Sequence, residues 1–593
     1  MQIYKAPVRD IRFLLDVCSY DERISSLGQF ADYDAETLTG IIEEVGKFCS
    51  NEMLPLNRVG DQEGVHYDPE THEVTTPESF KGLYQKFCEH DIAAMSNPVE
   101  YGGHGAPYTL AFLISELSTA TNKSFSMCPG LTQGLVEAIY HHGSEAQRTR
   151  YLPPLISGET TGTMCLTEPQ CGTDLGLLTT KAEPDPEDPS AYRVTGTKIW
   201  ITFGEHDLTD NILHLVLARL PGAPEGIKGI STLLVPKLLP DGSRNPVFCG
   251  GLEHKLGIHA SPTCVINLEG AKGWLIGEPH KGMKVMFTMM NAARLTVGIE
   301  GISLSEISYQ TALAFAKDRR QMRSLDPAKR EEGQKADTIL VHPDVRRMLL
   351  NIKSTTEGMR GLTTWIATQI DLAEHHPDEA KRQEADDLVA LFTPIIKSFC
   401  TERGFENVSE AMQVMGGAGY TSDWSVEQYL RDMRIAMIYE GTNHIQALDL
   451  IGRKLPLNGG RALRTFQEKI TTLIQETRDE EAMAPFIAGL KEASKLLTTL
   501  TMESLMSKAF KDQEEGGAVA SNYLNLFALT ALAYVWCHQA RLALARQEEG
   551  RFYRAKLKTA RYFFTNILPE IHSLAALIRA GKGSMMDFEV EDF

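Results

Sequence analysis

The stretch Met164-Cys165-Leu166-Thr167-Glu168-Pro169-Gln170-Cys171-Gly172-Thr173-Asp174 lies where the pattern of the sequence changes. Upstream of it, from about residue 34 to residue 158, apolar residues recur at helical spacing. Downstream come short β-rich runs at 192–194, 199–202, 212–220, 231–235 and 264–268. Clusters of Pro, Gly and Asp separate them, which is typical of an all-β insert. The stretch itself combines a proline, a glycine and two threonine hydroxyls, so it predicts a turn with exposed donors. Such a turn serves either as a connection between domains or as a site for a planar heterocycle or a phosphate.

Helical periodicity returns after the β-rich region. The spacing predicts long helices near residues 282–318, 342–374 and 384–415, with no strand signal among them. Long antiparallel helices of this kind form a bundle, here a four-helix bundle. A break at residues 455–460 precedes another helical stretch. The predicted fold class is therefore mostly α with a middle β domain of barrel or sandwich type.

These changes of pattern divide the chain into five predicted segments. They are an N-terminal extension (1–35), an N-terminal helical domain (36–160), the middle β domain (161–275), the helical bundle (276–452) and a C-terminal helical domain (461–593).

Composition and charge narrow the classes of function. Lys and Arg total 59 against 78 Asp and Glu, giving a formal net charge of −19. An acidic surface repels phosphate polymers, so no nucleic acid partner is expected. The 10 cysteines contain no Cys-x-x-Cys pair and the N-terminus lacks a secretion signal, which favours a cytoplasmic protein. The longest nearly unbroken apolar run, 526–537, is shorter than the roughly 20 residues of a membrane-spanning helix, so we expect a buried helix and not an integral membrane protein.

Several chemistries lack support in the sequence. Gly-x-Gly-x-x-Gly after a strand, Gly-x-x-x-x-Gly-Lys-[Ser/Thr] and His-Glu-x-x-His do not occur. No His partners a cysteine at zinc-finger spacing. We therefore predict neither a Rossmann dinucleotide site, nor a P-loop, nor a metal site.

Four motifs in a fixed order resemble the signature of the acyl-CoA dehydrogenase family over roughly residues 40–450. They are the opening stretch 164–174 and the segments 196–202, 413–420 and 438–442. Further matches lie at 98–105, 142–145, 255–257 and 316–321. Residues 3–13 and the C-terminal helical region are similar to a long bacterial subgroup, which includes fatty acyl-CoA dehydrogenases and 3-methylmercaptopropionyl-CoA dehydrogenases.

The resemblance implies an FAD enzyme that converts an acyl-CoA to a trans-2-enoyl-CoA, with Glu440 as the catalytic base. The base removes the α-proton while a hydride leaves the β-carbon for flavin N5. A carboxylate suits this role because exclusion of water raises its pKa toward the working range. Taken alone, Tyr-Glu-Gly-Thr also fits an acidic residue at the start of a helix. Some family members place the base immediately before an arginine in the helix after the β domain. Here Ala293, which has no carboxylate, precedes Arg294, so the base cannot be there.

The resemblance also assigns ligand-binding positions. The FAD positions are Met164, Leu166, Thr167, Gly172, Thr173, Trp200, Ile201, Thr202, Arg319, Gln321, Gln413, Gly416, Gly417 and Thr442. The acyl-CoA positions are Thr173, Asn291, Arg294 and Gly441. In the family the backbone N–H of the catalytic glutamate and a ribityl hydroxyl of FAD stabilise the enolate oxygen.

Each of these assignments has a structural alternative. Trp200 fits a core residue, and Arg319 fits a solvated helical face. Gly416 and Gly417 fit the end of a helix. Arg294 fits an ion pair with Glu300 or Glu306.

The sequence departs from the family pattern at three places. Met164 stands where many members carry an aromatic residue near the flavin, and Thr173 replaces the commoner Ser. Met322-Arg323 replaces the usual Phe-Gly, and residues 324–340 resemble an insertion, which puts the adenine contacts there in doubt.

Partners and rival functions follow from the same resemblance. FAD sites shared between two chains imply a homodimer, and an electron-transferring flavoprotein is the expected electron acceptor. An acyl-CoA oxidase and a non-catalytic helical scaffold are the rival functions. A fatty acyl chain of β-oxidation is the expected substrate, with a 3-methylthiopropanoyl chain of sulfur-compound catabolism as the alternative.

Overall fold

A computed structural model describes residues 2–593. The chain divides into two compact units, Glu44–Thr296 and a second unit that joins the residues up to Glu43 with Val297–Phe593. The chain begins with helices α1 (Val8–Val17), α2 (Tyr20–Arg23) and α3 (Ala35–Phe48).

The unit Glu44–Thr296 combines helices with a sheet. Its helices are α4 (Leu54–Glu63), α5 (Glu78–Glu89), α6 (Tyr108–Thr121), α7 (Lys123–His142) and α8 (Glu145–Ile156). Its strands are β1 (His66–Tyr67), β2 (Val74–Thr75), β3 (Thr160–Cys165), β4 (Lys181–Pro184), β5 (Tyr192–Thr202), β6 (Asn211–Arg219), β7 (Ile230–Pro236), β8 (Val247–Leu252) and β9 (Thr263–Ile276).

Seven of these strands form a sheet that closes on itself. The strand order is β3-β6-β4-β5-β9-β7, β6 also pairs with β7, and β8 pairs with β9. The ring β6-β4-β5-β9-β7 is therefore a small barrel, filled by apolar side chains such as Val194, Val216 and Leu233. Strand β3 packs closely on α7, since a Cβ on Gly162 would lie 2.7 Å from Leu135 Cδ2.

Long helices dominate the second unit. Helix α9 (Gly282–Asp318) enters it, and α10 (Pro343–His375), α11 (Glu379–Met415), α12 (Gly417–Tyr420), α13 (Val426–Arg434) and α14 (Asn443–Asp449) follow. Helices α9 and α11 touch backbone to backbone, because a Cβ on Gly301 would lie only 1.9 Å from the Cys400 carbonyl oxygen. Small residues at this crossing thus set the spacing of the bundle.

The C-terminal helices pack around one buried helix. They are α15 (Arg461–Glu476), α16 (Ala484–Leu500), α17 (Gln513–Ala545), α18 (Arg551–Tyr562), α19 (Glu570–Ala580) and α20 (Gly583–Met586). Among residues 2–593, α17 alone is long and apolar enough to span a membrane, yet 78% of its most apolar stretch is buried within the protein. The run 526–537 therefore belongs to a core helix.

A buried cluster of charges joins the N-terminal extension to the bundle and to α18. The Arg360 guanidinium pairs with Asp10 and with Glu306, each at 2.7 Å, and Lys556 pairs with Asp10 and Glu357. Burial alone raises the pKa of Asp10, but Lys556 and Arg360 lower it to about 2. The extension is thus an integral part of the second unit.

The fold class predicted from the sequence is confirmed, and the differences lie in the strands. Residues 192–202 form one continuous strand where two short ones were expected. Strands β3, β4 and β8 were not predicted. The sequence of β3 is Thr-Thr-Gly-Thr-Met-Cys, and its residues are mostly buried although three of them are threonines.

Candidate active site

The turn that follows β3 is held by a buried ion pair. Lys198 Nζ lies 2.8 Å from Glu168 Oε1 and donates to the Leu166 carbonyl oxygen at 3.0 Å. The Glu168 carboxylate also accepts from the backbone N–H groups of Thr179 and Thr180. Burial alone raises the pKa of Glu168, but Lys198 and these donors lower it to about 2. Glu168 is therefore ionised at neutral pH. Burial lowers the pKa of Lys198, and the Glu168 carboxylate opposes this shift. The two side chains fix the backbone at Leu166 and Glu168.

The predicted flavin-ring positions cluster around this turn. Met164, Leu166 and Thr167 are partly buried, and the Thr167 carbonyl oxygen accepts from Ile199 N–H at 2.9 Å. Gly172 and Thr173 lie in the exposed loop that follows. The structure thus brings β3, its loop and β5 together through the Thr167–Ile199 and Leu166–Lys198 contacts.

Trp200 is displayed by an irregularity in β5. The register of β5 against β9 shifts between Lys198 and Ile201. At this point Trp200 adopts a φ of 63°, a left-handed value that is rare for a bulky residue, and its side chain is 55% exposed. Ile201 returns to the core, and Thr202 is partly buried. Trp200 is therefore not a core residue, and the local strain is of the kind found at functional sites.

An apolar cleft opens between helices of the same unit. Its empty volume, mouth included, is about 830 Å³. Helices α6 and α7 supply Phe112, Ser126 and Gln133, and α9 supplies Ala293 and Thr296. Arg294, next to two of these lining residues, is 5% exposed, while Asn291 is exposed.

Glu440 occupies a left-handed turn of the second unit. Its φ is 54° and that of Gly441 is 82°. Gln446 Nε2 donates to the Glu440 carbonyl oxygen at 3.1 Å, and Lys397 Nζ donates to the Gly441 carbonyl oxygen at 2.7 Å. The carboxylate of Glu440 is thereby carried on a backbone conformation that two buried side chains hold in place.

The residues on either side fix this turn at both ends. Tyr439 donates its hydroxyl to both oxygens of Glu300, at 2.5 and 2.6 Å. Burial and the Glu300 carboxylate raise the pKa of Tyr439 far above its usual range, so the hydroxyl stays protonated. Thr442 caps α14 by accepting from Ile445 N–H. Glu440 therefore precedes the helix cap by two residues and is not the capping residue itself.

The two adjacent arginines after α9 differ in their contacts. Arg320 pairs with Glu331 at 2.6 Å and donates to the Ala336 carbonyl oxygen. Arg319 is exposed, and among residues 2–593 its guanidinium has no protein partner. Gln321 is also exposed. Arg319 is thus the arginine of the two that can receive an anion.

The glycines after α11 do end a helix. Gly416 has a φ of 58° and its N–H bonds to the Gln413 carbonyl oxygen. Gly417 begins the short α12, and Gln413, Gly416 and Gly417 are all exposed. A helix end and a surface for close approach of a ligand are compatible here.

The insertion after Met322 is an ordered loop built on one buried carboxylate. Asp337 accepts from Ser324 N–H at 2.6 Å, from Glu331 N–H at 2.8 Å and from Arg323 Nε at 3.1 Å. Met322 is 74% exposed with a φ of 58°. The residue that replaces the family's phenylalanine is thus presented at the surface.

Sequence reasoning missed the residues that support the two turns. Lys198 and Glu168 lie inside the family motifs but were assigned no role, and Lys397 and Gln446 lie outside them. Lys198 and Lys397 are both fully buried, a rarity for lysine. A lysine within a β-rich run was the available signal for Lys198; nothing in the local sequence marks Lys397. Within residues 2–593 no group of three or more His, Cys, Asp or Glu side chains could hold a metal ion.

The sequence matches four domain families in succession. Residues 35–159 match "Acyl-CoA dehydrogenase, N-terminal domain", 163–271 the middle domain and 280–455 the C-terminal domain. Residues 466–589 match "Acetyl-CoA dehydrogenase C-terminal like".

Named relatives match over nearly the whole chain. The chain is 40% identical to 3-methylmercaptopropionyl-CoA dehydrogenase of Ruegeria pomeroyi, over 96% of both chains. It is 32% identical to the broad-specificity linear acyl-CoA dehydrogenase FadE5 of Mycobacterium tuberculosis, over 100% of both chains.

Solved structures share the fold at lower identity. Caenorhabditis elegans ACDH-11 in complex with C11-CoA superposes with a TM-score of 0.79 at 18% identity, covering 95% of this chain and 91% of that one. A Bacillus anthracis acyl-CoA dehydrogenase complexed with FAD superposes with a TM-score of 0.74 at 22% identity, covering 94% and 91%. Domain matches and full-length relatives agree, and the chain belongs to the acyl-CoA dehydrogenase family of oxidoreductases.

Proposed function

We propose that the protein oxidises an acyl-CoA to its trans-2-enoyl-CoA, with Glu440 as the base that removes the α-proton and FAD as cofactor. The observation that carries the proposal is the Glu440 turn. Glu440 has a left-handed backbone, which contacts to its own carbonyl oxygen and to that of Gly441 hold in place. This conformation costs backbone strain energy that a residue with a purely structural role does not need. The backbone N–H of Glu440 is the proposed donor to the thioester oxygen, which stabilises the enolate as the α-proton leaves.

FAD fits the residues that this chain offers. Thr167, Trp200 and Thr202 present a hydroxyl, an exposed ring and a second hydroxyl beside a rigid turn. Arg319 offers a guanidinium for a phosphate, and Gln413, Gly416 and Gly417 an exposed helix end. When bound, FAD supplies the flavin N5 position that accepts the β-hydride.

CoA binding is assigned to Thr173, Asn291, Arg294 and Gly441. Arg294 is well suited because its planar fork can bind an anionic or carbonyl group in a bidentate manner. Glu306, one of the two carboxylates that could pair with it, is bound by Arg360.

The acyl chain is assigned to the cleft between α6, α7 and α9. Its walls are mainly apolar, with a few hydroxyls and the Gln133 amide among them. A linear fatty acyl chain of β-oxidation is the first proposal, and the FadE5 relative supports it. A 3-methylthiopropanoyl chain is the second, supported by the 40% identical relative from Ruegeria pomeroyi.

Electron acceptor, assembly and location complete the proposal. An electron-transferring flavoprotein is the proposed acceptor. A homodimer is proposed because Arg319, Gln321 and Gln413 match positions where the family binds FAD across a subunit interface, and all three are exposed. A cytoplasmic location is supported by cysteines that are all free thiols.

Anaerobic titration of the purified protein tests this function. We expect a yellow protein whose flavin absorbance bleaches on addition of acyl-CoA, tested with C4 to C18 chains and 3-methylthiopropanoyl-CoA. If 3-methylthiopropanoyl-CoA is the only acyl-CoA that bleaches the flavin, the second substrate proposal is correct. Hydrogen peroxide formed in air at the rate of turnover identifies an oxidase, and a colourless or unresponsive protein identifies a scaffold.

A further inference from the structure

A small cavity lies where the N-terminal extension, the bundle and the C-terminal helices meet in the second unit. Val17, Cys18 and Arg23 line it from the N-terminal segment, Gly361 and Trp365 from α10, and Tyr534, Val535, His538 and Gln539 from α17. Its volume is about 70 Å³. That is room for about two water molecules or one small organic molecule.

The cavity contains a buried amide that lacks protein partners. Gln539 is 0% exposed, and neither its Oε1 nor its Nε2 has a hydrogen-bond partner among residues 2–593. A Cβ on Gly361 would lie 2.6 Å from Gln539 Nε2, so the absence of a side chain there makes room for the amide. An unsatisfied buried amide destabilises the folded protein, so its retention calls for a partner that fills the cavity.

Two further side chains of the cavity, His538 and Arg23, can donate hydrogen bonds into it. His538 Nε2 is also buried without a partner, and its ring packs edge-on against Tyr534 with centroids 4.7 Å apart. Arg23 is half-buried, and its guanidinium makes no ion pair within residues 2–593. A guanidinium, an imidazole N–H and an amide N–H together form a donor set for a carboxylate.

The surrounding charges favour an anion. Burial lowers the pKa of His538 to about 4, and the nearby cations Arg541, Arg23 and Lys469 act in the same direction, against Glu476. The imidazole is therefore neutral, with one N–H to donate. The Cys18 thiol stays protonated, since burial raises its pKa to about 12, and so adds no competing negative charge.

One polar atom needs a donor from the ligand. Gln539 Oε1 is an acceptor, and a plain carboxylate has no hydrogen to give it. A hydroxyl next to the carboxylate satisfies it, and the volume fits a molecule of about five heavy atoms.

From this arrangement we propose that the cavity is a binding site for a small hydroxycarboxylate of the size of glycolate or lactate. Arg23, His538 and Gln539 Nε2 hold the carboxylate, and Gln539 Oε1 accepts from the hydroxyl. The ligand joins the N-terminal segment to α10 and α17. The site goes beyond the proposed oxidation of acyl-CoA, because none of its residues is assigned to that reaction.

The test is binding to the FAD-loaded full-length protein, measured by calorimetry and by the thermal unfolding midpoint. The probes are sodium glycolate, sodium lactate and sodium acetate, with sodium chloride at equal ionic strength. We expect a saturable rise of the midpoint with glycolate or lactate, at least tenfold weaker binding of acetate, and no saturable effect of chloride.

Three variants separate this site from a general salt effect. Arg23→Gln weakens glycolate binding at least tenfold. Gln539→Met removes the response and raises the midpoint without ligand, because the unsatisfied amide is gone. Arg12→Gln is the control: its partner is Asp16, outside the cavity lining, and it keeps the full response.

An equal response of wild type and Arg23→Gln overturns the proposal, as does a linear, unsaturated rise in every variant. Absence of any response in the wild type assigns the cavity to ordered water and overturns it as well. Arg23 is half-exposed, so Arg23→Gln remains informative even where Gln539→Met fails to fold. Binding is read without turnover, so this result is independent of the acyl-CoA titration.

Discussion

Two turns of the molecule are each supported by a buried lysine, but the lysines have different partners. Lys198 donates to the Leu166 carbonyl oxygen and pairs with the Glu168 carboxylate. Lys397 donates to the Gly441 carbonyl oxygen and to the Asn443 amide oxygen. Removing one member of a buried ion pair leaves an uncompensated charge, whereas removing a lysine that donates to neutral carbonyl and amide oxygens leaves no buried charge and costs less. We infer that Lys198 mainly secures the fold of the barrel unit and Lys397 mainly positions the Glu440 turn.

A bulky or charged residue in the left-handed region lies close in sequence to one of the groups in each comparison: Trp200 follows Lys198 by two residues, and Glu440 lies in the turn that Lys397 contacts. Trp200 has a φ of 63° and Glu440 a φ of 54°. Neither is glycine, so each position stores strain of about 1–3 kcal/mol that the surrounding contacts must offset. At the Glu440 turn, the hydrogen bond from Lys397 to the Gly441 carbonyl oxygen is one of those contacts.

Lys198→Met is expected to produce the largest loss of stability. Glu168 would remain buried without its cation, which costs about 3–5 kcal/mol. Urea unfolding at pH 7 measures the change in free energy of unfolding. The double variant Lys198→Met/Glu168→Gln is the control. Its loss in free energy of unfolding should be smaller than the sum of the losses of the two single variants. A loss equal to that sum would show that the two groups do not act as a pair.

Acidification should reduce the contribution of the same pair. The folded-state pKa of Glu168 is about 2, below its unfolded value of 4.5, so its stabilisation is present above pH 4.5 and is lost as the pH falls toward 2. This amounts to about 3 kcal/mol. We therefore expect the stability difference between wild type and Glu168→Gln to shrink below pH 4.5, as measured by urea unfolding at several pH values.

The buried histidines of the barrel unit do not change the stability difference between wild type and Glu168→Gln. Burial lowers the pKa of His206 and of His214 to about 3, and both proteins contain them. They destabilise both equally in acid, so a difference that stays constant from pH 7 to pH 3 would contradict the ion-pair account.

Lys397→Met is expected to affect turnover more than stability. Loss of a charged hydrogen bond to the Gly441 carbonyl oxygen costs about 2 kcal/mol, which corresponds to about a 30-fold fall in kcat when it is expressed in the position of Glu440. FAD content should stay at the wild-type level. A variant that keeps its kcat but loses stability as Lys198→Met does would remove the distinction between the two lysines.

The smallest expected effect concerns the two arginines after α9. Arg319→Gln should weaken FAD binding by about tenfold, because the free guanidinium is the one that can reach a phosphate. Arg320→Gln is the matched control, since Arg320 is occupied by Glu331. Equilibrium dialysis of FAD measures both, and equal losses would contradict the assignment.

Much of the fold was accessible from the sequence because periodicity reports it directly. The helices predicted near 282–318 and 342–374 occur at Gly282–Asp318 and Pro343–His375. Strand β3 was missed because burial on both faces leaves no alternation of polar and apolar residues. The closure of the barrel depends on pairings between strands that are distant in sequence, such as β5 with β9, which no local pattern encodes.

Some features of the candidate site were also predictable from the sequence, and others were not. Glu440 and Trp200 were found through their motifs, but their left-handed backbone was not, since φ depends on tertiary contacts. Lys397 was missed because its partners, Gly441 and Asn443, lie more than 40 residues away in sequence. The residue assignments for FAD and acyl-CoA stay predictions until they are tested.

The central claim is that Glu440 is the base, and single-turnover bleaching of the flavin under anaerobic conditions tests it most directly. Glu440→Gln keeps the size of the side chain and should keep FAD bound, but it removes the carboxylate that takes the α-proton. We predict that wild type bleaches on addition of the acyl-CoA that the substrate panel selects, and that the bleaching rate of Glu440→Gln is at least about 1,000-fold lower. Bleaching of Glu440→Gln at the wild-type rate would contradict the account and place the base elsewhere.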